Sequence, residues 1–334
     1  MSPPVKGGVV TPLERALREQ IRSEGPITVE AYMEACNAYY YATRDPLGRD
    51  GDFTTAPEIS QMFGELVGAC LADCWKRAGA PAEAIYVELG PGRGTLAADA
   101  LRVLRAAGFD GAVHLVETSP VLRQAQAEAV PGATWHVSLA DLPAAPLLLV
   151  ANEFFDALPI RQEIEGAERC VIETEGELAF DREGKIVETS PAREAAAAAI
   201  GTCLDHCGGV AVFFDYGHDR SAPGDTLQAV RGHEYAAVLA NPGEQDLTSH
   251  VDFEALADAA ADAGALVTPT VTQGHWLNQL GIGARAAALA GKNPERAEDL
   301  ASAVYRLTAR AEMGDLFKVM ALHGPNWPQP AGFE

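Results

Sequence analysis

Three glycines at alternate positions, Gly90, Gly92 and Gly94, follow the acid Glu88 at the end of the apolar-rich run Ile85-Tyr86-Val87-Glu88-Leu89. Glycine is needed where backbone turns sharply or where a ligand lies against it with no Cβ between. A strand, a Gly-rich turn and a helix together make the ligand loop at the carboxyl edge of an open α/β sheet. The spacing here is G-x-G-x-G, not the dinucleotide G-x-G-x-x-G. An acid two residues upstream repels a pyrophosphate but suits an ammonium group. S-adenosylmethionine has that group and no phosphate, so Glu88, Gly90, Gly92 and Gly94 read as its binding loop. Glu117 ends the next strand, 27 residues beyond Gly90, where an acid accepts both hydroxyls of a ribose. Ser138 and Leu139 end the third strand and could frame an adenine.

Asn152-Glu153-Phe154-Phe155-Asp156 follows the fully apolar run Leu147-Leu148-Leu149-Val150-Ala151. It sets an amide, two carboxylates and two rings beside the expected sulfonium, and Asn152 is counted with the cofactor-binding residues. Methyl transfer is an in-line displacement, so the enzyme mostly positions the acceptor. An arginine acceptor stays protonated at neutral pH, and carboxylates clamp it through paired hydrogen bonds. Glu153 would orient such a guanidinium, and the released proton would pass to Glu153, Asp156 or His218. Phe154 and Phe155 read equally well as substrate contacts and as core. His218 and His250 lie in polar loops, where histidine is more often a structural hydrogen-bonder than a proton acceptor.

The elements that must position these groups alternate strand and helix from residue 85 onward, with strands expected at 112–116, near 135–138, at 147–151, 209–215, 265–271 and 316–322. The fold class is α/β, a Rossmann-like seven-stranded methyltransferase sheet whose last strand enters antiparallel; periodicity alone gives only a doubly wound sheet. Residues 1–80 read as an N-terminal helical cap. Thr11-Pro12-Leu13-Glu14 fits a capping box, Gly25 a stop, and Thr28 the next cap, with Ile27 and Tyr32 placed for a hydrophobic staple. The cap ends in a ligand-wall loop, with a helix expected to run on from Pro57; Asp52, Phe53, Pro57, Glu58 and Gln61 are its substrate or lid residues. Residues 81–334 form the methyltransferase domain, with an inserted hairpin at about 160–181, an irregular stretch up to His250 and a helical insertion at about 273–312.

The 334 residues suffice for a full core. A net charge of −22 argues against a nucleic-acid partner, since phosphates need Lys and Arg; it suits either a basic substrate or simple solubility. Cys70/Cys74 and Cys203/Cys207, the latter beside His206, are each four apart on expected helices, and read as packed thiols, with no metal site expected. No apolar run reaches the roughly 20 residues that span a bilayer. With neither secretory h-region nor Arg-rich presequence in view, the expected location is a bacterial cytoplasm, or the mitochondrial matrix if a presequence has been removed.

Four motifs occur in order: Gly51-Asp52-Phe53 with Pro57-Glu58-Ile59-Ser60-Gln61, Leu89-Gly90-Pro91-Gly92-Arg93-Gly94-Thr95-Leu96, Ala151 to Pro159, and Asp215-Tyr216-Gly217-His218. Together they resemble the MidA family, relatives of the mitochondrial complex I assembly-factor methyltransferase. The resemblance covers about residues 10–322. It implies a class I S-adenosylmethionine-dependent fold and, for mitochondrial members, symmetric dimethylation of an arginine in a complex I subunit. It also carries cofactor binding onto the glycine loop and Glu117, and the acceptor site onto Glu153. Two rivals stay open: a small-molecule methyltransferase of the same fold, and an assembly chaperone that binds the cofactor without catalysis. A nicotinamide dehydrogenase is opposed by the glycine spacing and by Glu88.

Overall fold

The computed structural model describes residues 11–44 and 55–334. Thr11 caps α1 (Pro12–Glu24) by accepting the Glu14 amide at 3.0 Å, and Gly25 ends it at φ 102°. Thr28 caps α2 (Val29–Thr43) in the same way, and Ile27 and Tyr32 are buried in one cluster. The helix expected from Pro57 is broken in two. α3 (Ala56–Ile59) stops at Ser60, which is extended at φ −162° and accepts the Met62 amide to start α4 (Gln61–Arg77). A serine hydroxyl competes with the helix for nearby backbone groups, and here it restarts the chain in a new direction.

β1 (Ile85–Leu89) leads through the glycine turn into α5 (Thr95–Ala106); β2 (Val113–Val116), α6 (Pro120–Ala129) and β3 (Thr134–His136) follow. β4 (Leu147–Asn152) lies beside β1, and β5 (Gly209–His218) beside β4, all parallel. β6 (Phe317–His323) pairs with β5 antiparallel, placing Val210 opposite His323. The short pieces Leu266–Val267 and Val271–Thr272 pair with the far side of β6. The order across the sheet is therefore outer edge, β6, β5, β4, β1, β2, β3. That is the class I methyltransferase sheet. The strand expected over 265–271 is interrupted because Pro269 has no amide for the ladder. Thr268 fills the gap, donating its amide to Ala321 and accepting the Ala321 amide on its hydroxyl, both at 2.9 Å.

Alternation along the strands separates two cores. Tyr86, Leu148, Val150, Val212 and Phe214 pack toward α4, α5 and the helical segment after residue 273. Ile85, Val87, Leu149, Ala211 and Phe213 pack toward α7 (Pro191–Cys207) and α8 (Phe253–Asp262). β4 is buried on both faces, as its unbroken apolar sequence requires.

A third core joins the N-terminal helices to segments far along the chain. The Glu165-Gly166 and Glu175-Gly176 turns, at φ 54°, 76°, 52° and 84°, make two separate hairpins. The first pairs with Ile186–Thr189, and the second pairs through Cys170 and Val171 with Thr28 and Ile27. The stretch expected to be irregular carries a small sheet of Gln228–Arg231, Glu234–Ala236 and Asp246–Thr248, turned at Gly232 and His233. Asn37 of α2 hooks onto it: its amide group donates to the carbonyls of Ala157 (2.9 Å) and Leu247 (2.8 Å), and its oxygen accepts the Leu247 amide (3.2 Å).

Candidate functional site

The carboxyl ends of β1, β2 and β4 open into one cleft of about 720 Å³, within the range of pockets that enclose a small-molecule ligand. Gly90, Gly92 and Gly94 run at φ 57°, 55° and 84°, left-handed conformations that cost a side-chain-bearing residue strain. A Cβ at Gly90 would lie 3.1 Å from the Phe154 ring, so the glycine loop sits close against the β4 end. At the end of β1 the Tyr86 hydroxyl donates to Glu88 at 2.6 Å. Burial nevertheless pushes the Glu88 carboxyl up to about 8, because among the described residues no cation compensates its charge.

Glu117 ends β2 with both oxygens held: Oε1 accepts the Ser119 amide at 2.7 Å and Oε2 accepts Gln126 Nε2 at 3.0 Å. Burial raises its pKa against those bonds. Gln126, fully buried on α6, also donates to the Gly92 carbonyl at 2.7 Å and accepts from Trp135 at 2.8 Å. One side chain thus joins the glycine loop, the β2 acid and β3. Sequence reasoning missed it; its inward phase on α6 was the one available signal. Ser138 and Leu139 line the cleft after β3, where Ser138 accepts the Ala140 amide.

The β4 end carries left-handed backbone at a residue that lines the cleft. Glu153 stands at φ 51°, a conformation rare outside glycine and concentrated at functional sites. Its Oε1 accepts Asn152 Nδ2 at 3.1 Å and the Ala56 amide at 3.4 Å. Burial, aided by the charge of Asp156, pushes this carboxyl up to about 8. The Asn152 side-chain oxygen Oδ1 is buried with no partner among the described residues.

Phe154, Pro57 and Glu58 line the same cleft, and Glu58 accepts the Thr95 hydroxyl at 2.5 Å, tying α3 to α5. Asp52 and Phe53 lie outside the described residues. Four expected residues are not brought in. Gln61 donates to the buried Glu65 one turn along α4 and does not line the cleft. Phe155 is core, edge-on to Phe213 with ring centroids 4.9 Å apart. Asp156 is turned inward, where burial raises its pKa against Tyr216 and the Arg193 charge. Asp215 holds this turn by accepting the Phe155 and Asp156 amides at 3.0 and 3.2 Å, and Arg193 donates to the Asp156 and His250 carbonyls. His218 lies 3.8 Å from the Asp252 carboxylate and, with His250, borders a separate pocket of about 300 Å³.

α2 supplies a wall that the sequence did not announce: Glu34, Asn37, Ala38 and Tyr41 recur at helical spacing along the cleft. The Tyr41 hydroxyl donates to Asp246 at 2.8 Å, and its carbonyl accepts the Ser119 hydroxyl at 2.6 Å. Glu34, Glu58, Glu88, Glu117 and Glu153 all face the space, against Arg93 as the one basic residue in its described lining. A bare glycine cradle, a buried acid held at the β2 end and this negative field fit S-adenosylmethionine, a ligand with positive charge and no phosphate.

Comparison with known proteins agrees. Residues 66–176 and 168–271 match the family model described as "Putative S-adenosyl-L-methionine-dependent methyltransferase". The chain belongs to this family. The methyltransferase is 35% identical to the Drosophila melanogaster protein named "Protein arginine methyltransferase NDUFAF7 homolog, mitochondrial", over 93% of this chain and 84% of that one. It is 34% identical to the Homo sapiens protein arginine methyltransferase NDUFAF7, over 94% and 83%. A Burkholderia thailandensis superfamily member solved with S-adenosyl-homocysteine superposes with TM-score 0.83 at 27% identity, covering 99% of this chain and 97% of that one. The MidA kinship, the fold and the S-adenosylmethionine cofactor expected from sequence all stand. The curated relatives are named as mitochondrial, and among the described residues no helix is long and apolar enough to cross a membrane.

Proposed function

We propose that this methyltransferase methylates an arginine of a protein substrate, giving symmetric dimethylarginine, and that the substrate is a subunit of respiratory complex I (NADH:quinone oxidoreductase). The observation that carries the reading is Glu153: a carboxylate at the β4 end, on strained backbone, facing an acidic cleft. The names of the curated relatives support the same acceptor. In this reading residues 1–80 cap a cofactor domain of residues 81–334, Glu88 faces the ammonium, Glu117 the ribose, and Ser138 and Leu139 the adenine. The compartment is one where such a complex is assembled, the bacterial cytoplasm or the mitochondrial matrix.

When bound, S-adenosylmethionine supplies an electrophilic methyl: its carbon–sulfur bond breaks with the electron pair left on sulfur, while the accepting nitrogen forms the new bond and releases one proton. The chain's own part is to bind, orient and take up that proton. Glu153 orients the guanidinium through charge-assisted hydrogen bonds. Its raised carboxyl affinity for protons also suits it to hold the one released. Asp156, Asp215 and Arg193 keep the loop that carries Glu153 in place.

The test is transfer of labelled methyl from S-adenosylmethionine into lysate protein, followed by analysis of the modified residue. Label should enter arginine, and Glu153→Gln should lower it by about a hundredfold while S-adenosylhomocysteine binding persists. Label confined to metabolites would establish the small-molecule rival. Unchanged biological activity in Glu153→Ala would establish the chaperone.

A further inference from the structure

We propose that Asn152 belongs to the acceptor end of the cleft, not the cofactor end, and that its side-chain oxygen Oδ1 and Glu153 Oε2 together form a two-acceptor fork for the guanidinium. This rests on the arginine reading above. Three observations lead to it. The Asn152 side chain lines the cleft and is 9% exposed, yet its oxygen has no donor among the described residues. An orphaned buried acceptor destabilises the fold, a cost removed by a ligand that brings an N–H. Among the described residues the donors that reach Glu153 both fall on Oε1, and Glu153 lines the cleft, so Oε2 is the oxygen left for a ligand. Lastly, the Asn152 Nδ2 bond to Glu153 Oε1 at 3.1 Å fixes the amide so that its oxygen, not its nitrogen, is available.

An ammonium directs its three N–H groups apart from a single tetrahedral nitrogen and does not match two acceptors side by side. A guanidinium presents parallel N–H groups in one plane and satisfies both. Positive φ at Glu153 brings its carboxylate beside the amide of the preceding residue, where strict strand geometry would send successive side chains to opposite faces. The strain is thereby put to use in acceptor recognition. Asn152 accepts a hydrogen bond from the guanidinium, and Glu153 holds the charge and receives the proton released on methylation.

The experiment uses full-length protein, Asn152→Leu and Asn152→Asp. S-adenosylhomocysteine binding is measured by calorimetry, and binding of N-ethylguanidinium to the resulting complexes by NMR titration from pH 6 to 9, with N-ethylammonium as control. S-adenosylhomocysteine should bind all three proteins within about threefold, which also reports that they are folded. Ethylguanidinium should bind the wild-type complex in preference to ethylammonium, and Asn152→Leu should weaken it by about tenfold or more. Asn152→Asp keeps an acceptor there, so it should retain guanidinium binding with its pH midpoint moved upward, because a second carboxylate opposes ionisation of Glu153. Equal ethylguanidinium binding by wild type and Asn152→Leu would overturn the fork while leaving the arginine reading intact. A tenfold loss of S-adenosylhomocysteine in both variants would return Asn152 to the cofactor. Failure of the wild-type complex to select ethylguanidinium would refute the arginine reading, and the fork with it.

Discussion

Cofactor binding should be linked to a proton at Glu88. With its carboxyl pushed up to about 8 by burial, roughly nine in ten molecules carry a proton there at pH 7 in the absence of ligand. An ammonium placed beside Glu88 favours the anion, so binding should expel about 0.9 proton at that pH. The cost of ionising the group first is about 1.4 kcal/mol at pH 7 and about twice that at pH 6. The affinity for S-adenosylhomocysteine should therefore rise by about ninefold from pH 6 to 7. It should peak near pH 8, where the ligand's own α-amino group begins to lose its charge. Calorimetry in two buffers of different ionisation enthalpy counts the proton directly, and Glu88→Gln should abolish both the release and the slope. The same shift acts on stability without ligand. The folded pKa lies above the unfolded one, so the folded state holds a proton that the unfolded chain has lost, and stability should fall as pH rises from about 4.5 to about 8. Glu88→Gln should flatten that fall in thermal unfolding. A wild-type affinity that does not change between pH 6 and 7, with no proton released, would refute the reasoning.

Gln126→Leu removes three hydrogen bonds, to the Gly92 carbonyl, Glu117 and Trp135, and should weaken S-adenosylhomocysteine by about 5- to 100-fold, measured by titration. Gly92→Val forces a branched side chain onto a φ of 55°; it should abolish binding while circular dichroism shows an intact fold. Burial works against ionisation at Glu65, but Arg285 and Arg102 outweigh it and hold the carboxyl down at about 2. The stability it contributes is present above the unfolded carboxyl range and lost as pH falls toward 2. Glu65→Gln should lower the melting temperature at pH 7 by several degrees and remove part of the acid-limb slope, since both arginines stay packed beside a neutral amide.

The parts of the site that lie contiguously in sequence were the parts legible from it. The glycine loop and the β4 end each place strand, turn and ligand group within about a dozen residues, so local chemistry reveals them. Gln126 and the α2 stripe act on residues distant in sequence, and nothing in a glutamine or a tyrosine says which cleft it will face. Asp156 misled for a related reason. Its carboxylate lies three residues from Glu153, but the Asp215 bonds to the amides of residues 155 and 156 turn it into the fold. The broken helix at Ser60 and the interrupted edge strand at Pro269 are local effects, legible in principle from one hydroxyl and one missing amide.

Asn37 reaches the carbonyl of Leu247 across 210 positions of chain, and Ile27 pairs with Val171. A ribosome adding roughly 5–20 residues per second makes Leu247 on the order of 10–40 s after Asn37. Through that interval Val29, Tyr32, Met33 and Cys36, all buried in the finished protein, lack Leu227, Ala229 and Leu247 of their cluster and have only part of their packing. The α1–α2 segment thus completes its packing only after chain far downstream of it has been made. The α2 wall of the cofactor cleft therefore closes only once Leu247 has been made, when the β1–β5 strands are already in the chain.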